Sequence, residues 1–423
     1  MKRLKTLLGY YIPTFFEMQV DSTDDNMIIS KMSDIDATIL FHEYIHFLQD
    51  FTTYYGLNNL YVQSEYIHSV VNRIYKTNKQ FAVPFEITDN NDNLLLNQQI
   101  CNLTAGDTDE SSIYTIDEII ENTDELIPNP YINNIQSVVL NPNDNIRSFG
   151  ALAIMESMSY IMERLCSPIG VQISPDYPYR AAELVAQHYN KEFGDDLLKV
   201  LALCDISLLN SNPGVYFVDT AKKIGSGELV INNAEELYDW FYKKTCSVAG
   251  SSPQAFEQVF KNLSNQVNQS LHSYICDVPQ HETFHEWINR LTDFAIDWRI
   301  NDKYFLLKMA KQNDLKKNNC WGYTISKVGS PLMKNRYNHY FKLPYEDMET
   351  GDNVEIFNAI KEIYQLFSNG KKNCGMLNWC CESPNSTPNE LCKTEPWKKC
   401  NEKSLCPYAF LWKHWNLKTY EPI

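Results

Sequence analysis

The sequence predicts an α+β fold that is mostly helical, with a small cysteine-rich module at its C-terminal end. Apolar residues recur at helical spacing through most of residues 33–368, whereas strand-like segments are few and short. Hydrophobic residues make up 44% and charged residues 21% of the 423 residues, a balance typical of a folded globular protein. Six of the twelve cysteines fall within residues 374–406, which sets the end of the chain apart.

The N-terminal elements carry specific local signals. Residues 9–20 are rich in aromatic and β-branched residues and predict a strand, in which Pro13 indicates a sheet edge or a bulge. A helix is then predicted to begin at Ser33, which stands three residues before Asp36 as in a capping box. Gly56 is expected to end this helix.

The rest of the chain divides into helical patterns and two less regular stretches. Residues 80–146 contain no Lys or Arg but twelve acids, and predict an acidic insertion of short strands and turns. Its charge either steers a basic partner or keeps a solvated insertion soluble. Residues 213–232 are predicted to be loop and short strands. Further helices are predicted at about 57–75, 149–165, 178–193, 195–209, 233–245, 253–275, 278–312 and 352–368.

Charge and hydropathy argue against several classes of function. The formal net charge is −16 and the pI is near 5.0, so no nucleic-acid partner is expected, because binding a phosphate backbone needs a basic surface. The basic residues 1–5 are followed by Pro13 and Glu17 and by no small-residue cleavage site, so a signal peptide is not predicted. An apolar run of the ~18 residues that a membrane span needs does not occur. The sequence therefore predicts a soluble, cytoplasmic protein.

The motif with the clearest chemical meaning is H-E-x-x-H at residues 42–46. On a helix, His42 and His46 lie on one face, one turn apart, so both imidazoles can bind one zinc ion at about 2.0–2.1 Å. Glu43 is offset around the helix, where it can act on a metal-bound water. The alternative is a pair of histidines packed in a core helix, but the surrounding residues are uncharged and would leave three buried polar groups without compensation.

The segment Ile39-Leu40-Phe41-His42-Glu43-Tyr44-Ile45-His46-Phe47-Leu48 resembles the active-site helix of the zincin metallopeptidases. This resemblance implies a zincin-like catalytic domain, zinc bound by His42 and His46, and Glu43 as the base that activates water for attack on a peptide carbonyl. The short-spaced third ligand of the metzincins is missing, because the next histidine after His46 is His68. A gluzincin-like arrangement, with a Glu from a later helix, fits better.

The predicted third ligand is Glu156, in the apolar helix at 149–165. A carboxylate in such surroundings is costly unless it is paired or bound to a metal, and small neighbouring residues allow the two helices to approach closely. Many gluzincins carry an acid four residues after the ligand, where this chain has Tyr160. Glu163 is an alternative ligand, although its neighbour Arg164 offers an ordinary surface ion pair.

Three other residues are possible helpers of the site. Asp50, one turn beyond His46, either supports a ligand or is a solvated surface residue. His281 and His285 form a second H-E-x-x-H, which Pro279 places in the first turn of a helix. That motif is interpreted first as the start of a core-facing helix; the alternatives are a helper such as an oxyanion-stabilising histidine, or the zinc site itself.

Without a secretory signal, the clustered cysteines predict metal ligation before disulfides. Their spacing matches no common C-x2-C pattern. The first interpretation is a structural zinc site made of four thiolates; an iron–sulfur cluster and disulfides or unligated thiols remain alternatives. The six residues are Cys374, Cys380, Cys381, Cys392, Cys400 and Cys406.

Together these features predict a metallopeptidase domain at residues 1–370, interrupted by the acidic insertion at 80–146, and a metal-binding module at residues 371–423. The predicted function is zinc-dependent hydrolysis of a protein or peptide substrate by a metal-activated water, with Glu43 as general base. The alternatives are a non-peptidase zinc hydrolase and an inactive zincin-like interaction protein.

Overall fold

Helices make up most of the computed structural model, and the described strands form four small sheets, which gives an α+β fold, as the sequence predicts. None of the described helices combines the length and the apolar character needed to cross a bilayer. The structure describes residues 4–5, 9–22, 28–88, 93–129, 132–246, 252–276, 282–337, 339–343, 354–383 and 386–423.

The helices and strands are numbered along the chain. The helices are α1 (Asp34–Thr52), α2 (Tyr54–Ile74), α3 (Asn93–Ala105), α4 (Ala151–Cys166), α5 (Asp176–Tyr179), α6 (Ala181–Tyr189), α7 (Lys191–Gly194), α8 (Leu197–Leu208), α9 (Pro213–Gly225), α10 (Ala234–Tyr242), α11 (Phe256–His272), α12 (Glu282–Asn301), α13 (Phe305–Ala310), α14 (Asn319–Val328), α15 (Val354–Asn369), α16 (Leu377–Glu382), α17 (Leu391–Thr394) and α18 (Pro407–His414), with 3₁₀ turns at Leu315–Lys317 and Pro396–Asn401. The strands are β1 (Leu4–Lys5), β2 (Gly9–Ile12), β3 (Glu17–Val20), β4 (Gln80–Phe81), β5 (Ile119–Glu125), β6 (Asn134–Leu140), β7 (Arg147–Phe149), β8 (Thr245–Cys246), β9 (Gln254–Ala255), β10 (Leu332–Lys334), β11 (Tyr340–Phe341) and β12 (Glu421–Pro422).

A five-stranded mixed sheet supports the first long helix. Its strand order is β1-β2-β3-β10-β11, antiparallel except for the parallel pair β3–β10. The single strand predicted at residues 9–20 is wrong, because the segment folds back into β2 and β3. Thr14 and Phe16, at the turn, have φ of 68° and 49°. The Thr14 N–H donates to Asp50 Oδ2 at 2.6 Å, so a buried carboxylate on α1 fixes the turn.

Helix α1 begins where the capping signal predicts, since Ser33 Oγ accepts a hydrogen bond from the Asp36 N–H at 3.0 Å. Its end is not where the sequence predicts. Thr53 breaks the helix and caps α2, accepting from the Gly56 N–H at 3.0 Å. Gly56 therefore lies inside α2, where a Cβ would come within 2.2 Å of the Asp50 carbonyl oxygen. The glycine serves a close approach of α2 to the end of α1 instead of ending a helix.

Two helices replace segments for which the sequence predicts loops, turns or short strands. Helix α3 lies inside the acidic insertion, whose strands β5 and β6 form an antiparallel sheet with β7, the strand that follows the insertion. Helix α9 replaces the loop predicted at 213–232, and it starts with Pro213 in its first turn, a position that suits proline. In both segments Asn, Gln, Gly or Lys interrupt the apolar spacing, so tertiary packing decides the helical state.

A buried ion pair joins the end of α1 to α8 and α12. Arg299 contacts Asp205 through two hydrogen bonds of 2.7 and 2.8 Å, and both side chains are fully buried. The Arg299 Nε–H also donates to the Thr52 carbonyl at 2.6 Å, which satisfies a helix-end oxygen. The C-terminal end of α1 is thus held in place by the Arg299 guanidinium, whose charge is compensated by Asp205.

The C-terminal segment packs on the preceding core. Strand β12 pairs in parallel with β4, and α18 packs against α15. The Trp412 ring lies 6.4 Å from Phe81 and 6.1 Å from Phe367, all three side chains being buried. The segment therefore adds its own aromatic residues to the same hydrophobic cluster as the rest of the chain.

Candidate metal centre

Three buried side chains bring their ligand atoms together between α1 and α4. His42 Nε2 lies 3.1 Å from His46 Nε2 and 3.2 Å from Glu156 Oε2, and the distance from His46 Nε2 to Glu156 Oε2 is 3.4 Å. Ligand atoms bound tetrahedrally at about 2.0–2.1 Å are about 3.3–3.4 Å apart. The three atoms are spaced as ligands of one ion, and within the described part of the chain they form the only such group of His, Cys, Asp or Glu.

The two helices are fastened together on both sides of this triangle. Thr38 and Ser167 share a hydroxyl–hydroxyl hydrogen bond of 2.5 Å at one end. At the other end the Gln49 amide nitrogen donates to the Met155 carbonyl at 3.0 Å. The bond to Met155 holds Glu156, the next residue, opposite the histidine pair.

The hydrogen bonds of Gln49 define which nitrogen of His46 carries the proton. Because the Gln49 NH₂ donates to Met155, its Oε1 must be the atom that faces His46 Nδ1, at 2.8 Å. An amide oxygen only accepts, so His46 Nδ1 carries the hydrogen and Nε2 keeps its lone pair. Gln49 thus fixes the tautomer and the ring orientation of His46, as the hydrogen-bond partner of a metal-bound histidine usually does. No motif in the sequence marks Gln49 for this role.

Glu163 has the same role for His42. Its carboxylate binds His42 Nδ1 in a short hydrogen bond on the opposite side of the ring from the ligand triangle. Glu156 is therefore the carboxylate that lies beside both Nε2 atoms, whereas Glu163, the alternative ligand, lies on the Nδ1 side of His42. A carboxylate on Nδ1 fixes the ring and leaves the Nε2 lone pair directed at the triangle.

The electrostatics of the triangle favour a cation. Two imidazole nitrogens and a carboxylate oxygen face one another, and Glu156 Oε1 is buried with no hydrogen-bond partner among the described residues. Burial opposes a charged imidazole, but the carboxylates of Glu163 and Glu156 outweigh it and raise the pKa of His42 well above its ordinary value. Such a buried set of acceptors fits a metal ion as its counter-charge.

Glu43 lies on α1 beside the triangle and is fully buried. Strand β2 passes directly over it: a Cβ added to Gly9 would come within 2.5 Å of Glu43 Oε1. Only glycine leaves room for the carboxylate at this point of the sheet. The glutamate is held between the first helix and the five-stranded sheet.

Tyr179 is a further residue of the site that the sequence did not single out among 26 tyrosines. Its ring lies 6.2 Å from that of His42 and is 2% exposed. Burial, and then the nearby carboxylates, of which Glu156 contributes most, raise its pKa far above the ordinary value, so the hydroxyl stays protonated and can donate a hydrogen bond. Ser157 positions the segment, because its hydroxyl donates to the Pro178 carbonyl at 2.8 Å and accepts from the Ala182 N–H at 3.0 Å.

Asp50 has neither of its two predicted roles. Its side chain does not contact a proposed ligand, and it is not a solvated surface residue. Its Oδ2 accepts from the Tyr11 hydroxyl at 2.9 Å and from the Thr14 N–H, and the side chain is buried. It lines a cavity of about 290 Å³ between α1, α2, α3 and α4. Gln49, its neighbour in sequence, is the residue that contacts His46.

The wild-type protein is expected to lose stability as the pH rises, and replacing Asp50 with Asn should make this loss smaller. Burial raises the pKa of Asp50 from 3.8 to about 7, although the Thr14 and Tyr11 hydrogen bonds lower it. Between these pH values the folded state holds a proton that the unfolded chain has released, so stability falls as pH rises from about 4 to 7. At ~1.4 kcal/mol per pKa unit, the free energy of unfolding of the Asn variant should increase relative to that of the wild type by at most about 4 kcal/mol over this range.

The measurement is urea unfolding of both proteins at several pH values, reported as the difference in free energy of unfolding. An Asn oxygen can still accept both hydrogen bonds, so only the charge changes. Any release of metal at low pH affects both proteins and cancels in the difference. A difference that stays constant from pH 4 to 7 would contradict the raised pKa.

The second H-E-x-x-H contributes a supporting helix. His281 lies outside the described residues, and α12 begins at Glu282. The His285 Nε2–H donates to the Ile275 carbonyl at 2.7 Å, and its ring lies 4.4 Å from that of His272, so His285 joins α11 to α12. The apolar stripe of α12 is buried as predicted, at Phe284, Trp287, Ile288, Leu291, Phe294, Ala295 and Trp298.

Comparison with known proteins finds no matching family model, no matching curated protein and no matching solved structure. The arrangement of His42, His46, Glu156 and Glu43 is therefore the basis for proposing a function for this chain.

Proposed function

We propose that the chain is a zinc-dependent metallopeptidase with a zincin-like, gluzincin-type catalytic domain. The observation that carries the proposal is the triangle of His42 Nε2, His46 Nε2 and Glu156 Oε2, with edges of 3.1–3.4 Å, beside a buried glutamate on the same helix as the two histidines. Three protein ligands of the His₂Glu type leave a fourth position for water or substrate, the arrangement of a catalytic and not a structural zinc.

When bound, zinc supplies Lewis acidity, lowering the pKa of a bound water to about 7 and polarising the scissile carbonyl. His42 and His46 present their Nε2 lone pairs, oriented by Glu163 and Gln49. Glu43 is the general base that takes a proton from the attacking water as the C–O bond forms. The same carboxyl group then gives that proton to the amine nitrogen as the C–N bond breaks.

Tyr179 is proposed to stabilise the oxyanion of the tetrahedral intermediate. Its hydroxyl is protonated, its ring lies 6.2 Å from that of His42, and it comes from a different segment from the proposed ligands. A donor aimed at developing negative charge is commonly a large contribution to acyl-transfer catalysis.

Metal removal and replacement tests the proposal directly. The purified full chain is incubated with a library of quenched fluorescent peptides, treated with a chelator and then supplied with Zn²⁺ or Mg²⁺. We expect cleavage by the untreated protein, loss on chelation, and recovery with Zn²⁺ but not with Mg²⁺, since imidazole ligands favour zinc.

Two other outcomes identify the alternatives. Zinc-dependent turnover of esters or other non-peptide substrates, with no peptide cleaved, would replace the peptidase by another zinc hydrolase. A protein that binds one zinc at this site and turns over neither class of substrate would favour the inactive interaction protein. Cleavage that persists in the metal-free protein would refute a zinc hydrolase altogether.

A further inference from the structure

Four of the six clustered cysteines line one small cavity in the C-terminal segment. The cavity has a volume of about 20 Å³, room for a single small ion or water, and Tyr408 and Lys399 also line it. The four cysteines reach it from α16, α17, the start of α18 and the loop before α16; they are Cys374, Cys380, Cys392 and Cys406.

The remaining two cysteines of the cluster lie elsewhere. Cys381 is exposed, although it is the direct neighbour of Cys380. Cys400 is buried at 3% exposure but is not among the residues that line the cavity. Residue spacing alone left open which cysteines act together, and the fold separates them.

The position of Cys406 favours a thiolate. It is the residue immediately before the first turn of α18, where the backbone N–H groups of a helix have no partner within the helix. A cysteine at a helix N-terminus has a stabilised thiolate, the form that binds a metal. Two hydroxyl-bearing residues, Ser386 and Thr387, line the cavity together with the cysteines.

Two further groups at the cavity could offset the negative charge of a metal bound by four thiolates. Tyr408 lines the cavity, and its buried hydroxyl has no hydrogen-bond partner among the described residues, so it has a proton to donate. Lys399 lines the cavity with its side chain almost fully buried, and its ammonium pairs with Glu402 Oε2 at 2.8 Å. Four thiolates around a divalent ion carry a net charge of −2, which a nearby cation and hydroxyl donor offset.

We propose that Cys374, Cys380, Cys392 and Cys406 form a second metal site, a structural Zn²⁺ bound by four thiolates. Such a site is closed, with no position left for substrate, and its binding free energy stabilises the fold. It would hold together α16 and α17, helices of only six and four residues, next to the α18–α15 contact that anchors the segment.

Binding requires a local contraction. Zinc–sulfur bonds of about 2.3 Å place tetrahedral sulfurs about 3.8 Å apart, whereas no three of these sulfurs are mutually within 4.8 Å in the structure. The backbone already joins two of the ligand segments, since the Cys374 N–H donates to the Cys392 carbonyl at 2.8 Å. Each thiol loses its proton to solvent as the metal binds, so affinity should rise with pH.

The test compares the zinc content of six single Cys→Ser variants of the full chain by elemental analysis. We expect each variant at Cys374, Cys380, Cys392 or Cys406 to lose about one ion per chain relative to wild type. Cys400→Ser is the matched buried control and Cys381→Ser the exposed one, and both should keep the wild-type content. Equal content in all six variants, or the same loss in Cys400→Ser, would overturn the proposal.

Thiol alkylation followed by mass spectrometry tests the site in the unmodified chain, where misfolding of a variant is not a concern. Cys381 should react at once, and the four proposed ligands only after a chelator is added. If those four need a reductant instead, they form disulfides and the proposal fails. Iron together with labile sulfide in the purified protein would equally refute a zinc site. A His46→Ala variant should leave this protection unchanged, so the result does not depend on the catalytic proposal.

Discussion

Replacing Glu43 with Gln is expected to slow peptide hydrolysis on the order of 10²–10⁴-fold, the usual contribution of a general base. Gln keeps the size and shape that fit beneath Gly9, so the packing of α1 against β2 is preserved. Its amide cannot take a proton from the attacking water. Because Glu43 is not one of the three proposed ligands, the variant should bind as much zinc as the wild type. The measurement is kcat/KM for a cleaved peptide together with zinc content per chain.

The second H-E-x-x-H provides a matched control for this experiment. Glu282 stands at the same place in its motif as Glu43 does, but it is exposed at the start of α12. Glu282→Gln should leave both kcat/KM and zinc content at wild-type values. If Glu43→Gln retains full activity, Glu43 is not the base and the proposed mechanism is wrong. If Glu43→Gln loses its zinc as well, the carboxylate acts on the metal and not on the water.

The local part of the site was predictable because helical geometry fixes it. Two histidines four residues apart must share a face of α1, so the pairing of His42 with His46 follows from sequence spacing. Glu156 was predictable from the cost of a carboxylate in an apolar helix, which a contact with two imidazoles removes. In each case a local pattern or a local cost was enough.

The supporting residues depend on contacts that sequence distance hides. Glu163 resembled a surface residue because Arg164 follows it, yet the helix turns its carboxylate inwards to His42, 121 positions earlier. Tyr179 reaches the site through a segment held by Ser157, and neither residue has a motif. Gln49 was overlooked in favour of its charged neighbour Asp50, although an amide can fix a histidine tautomer as well as a carboxylate can.

The missed and misplaced elements have a similar cause. The hairpin of β2 and β3 depends on a turn that Asp50 holds from α1, a contact between distant segments. Gly56 signals a helix end in sequence, but the packing of α2 on α1 requires a residue without a Cβ there. Local propensity is a weak guide wherever tertiary contacts supply the stabilisation.

The second large effect is expected on zinc affinity, when the proposed third ligand, Glu156, is replaced. Glu156 and Glu163 lie two turns apart on α4, both are buried, and both contact His42, but through different nitrogens. Glu156→Gln replaces an anionic ligand by a weak neutral one and should lower zinc affinity by far more than 100-fold. Glu163→Gln changes only the group that faces His42 Nδ1. The amide oxygen of the new Gln side chain can still accept the hydrogen bond from that nitrogen. Loss of such a supporting interaction typically costs ~10–100-fold in metal affinity.

Competition with a chelator of known zinc affinity measures both dissociation constants on the same scale. The two substitutions are chemically identical, on one helix and in one environment, so a difference between them reports the position of each oxygen relative to the metal. The reverse order, with Glu163→Gln the weaker binder, would assign the third ligand to Glu163 and require the His42 ring to be turned around. Equal and small effects would mean that neither carboxylate binds the ion. In that case the 3.1 Å approach of the two Nε2 atoms would reflect a shared proton between the imidazoles, and a zinc hydrolase would no longer be supported.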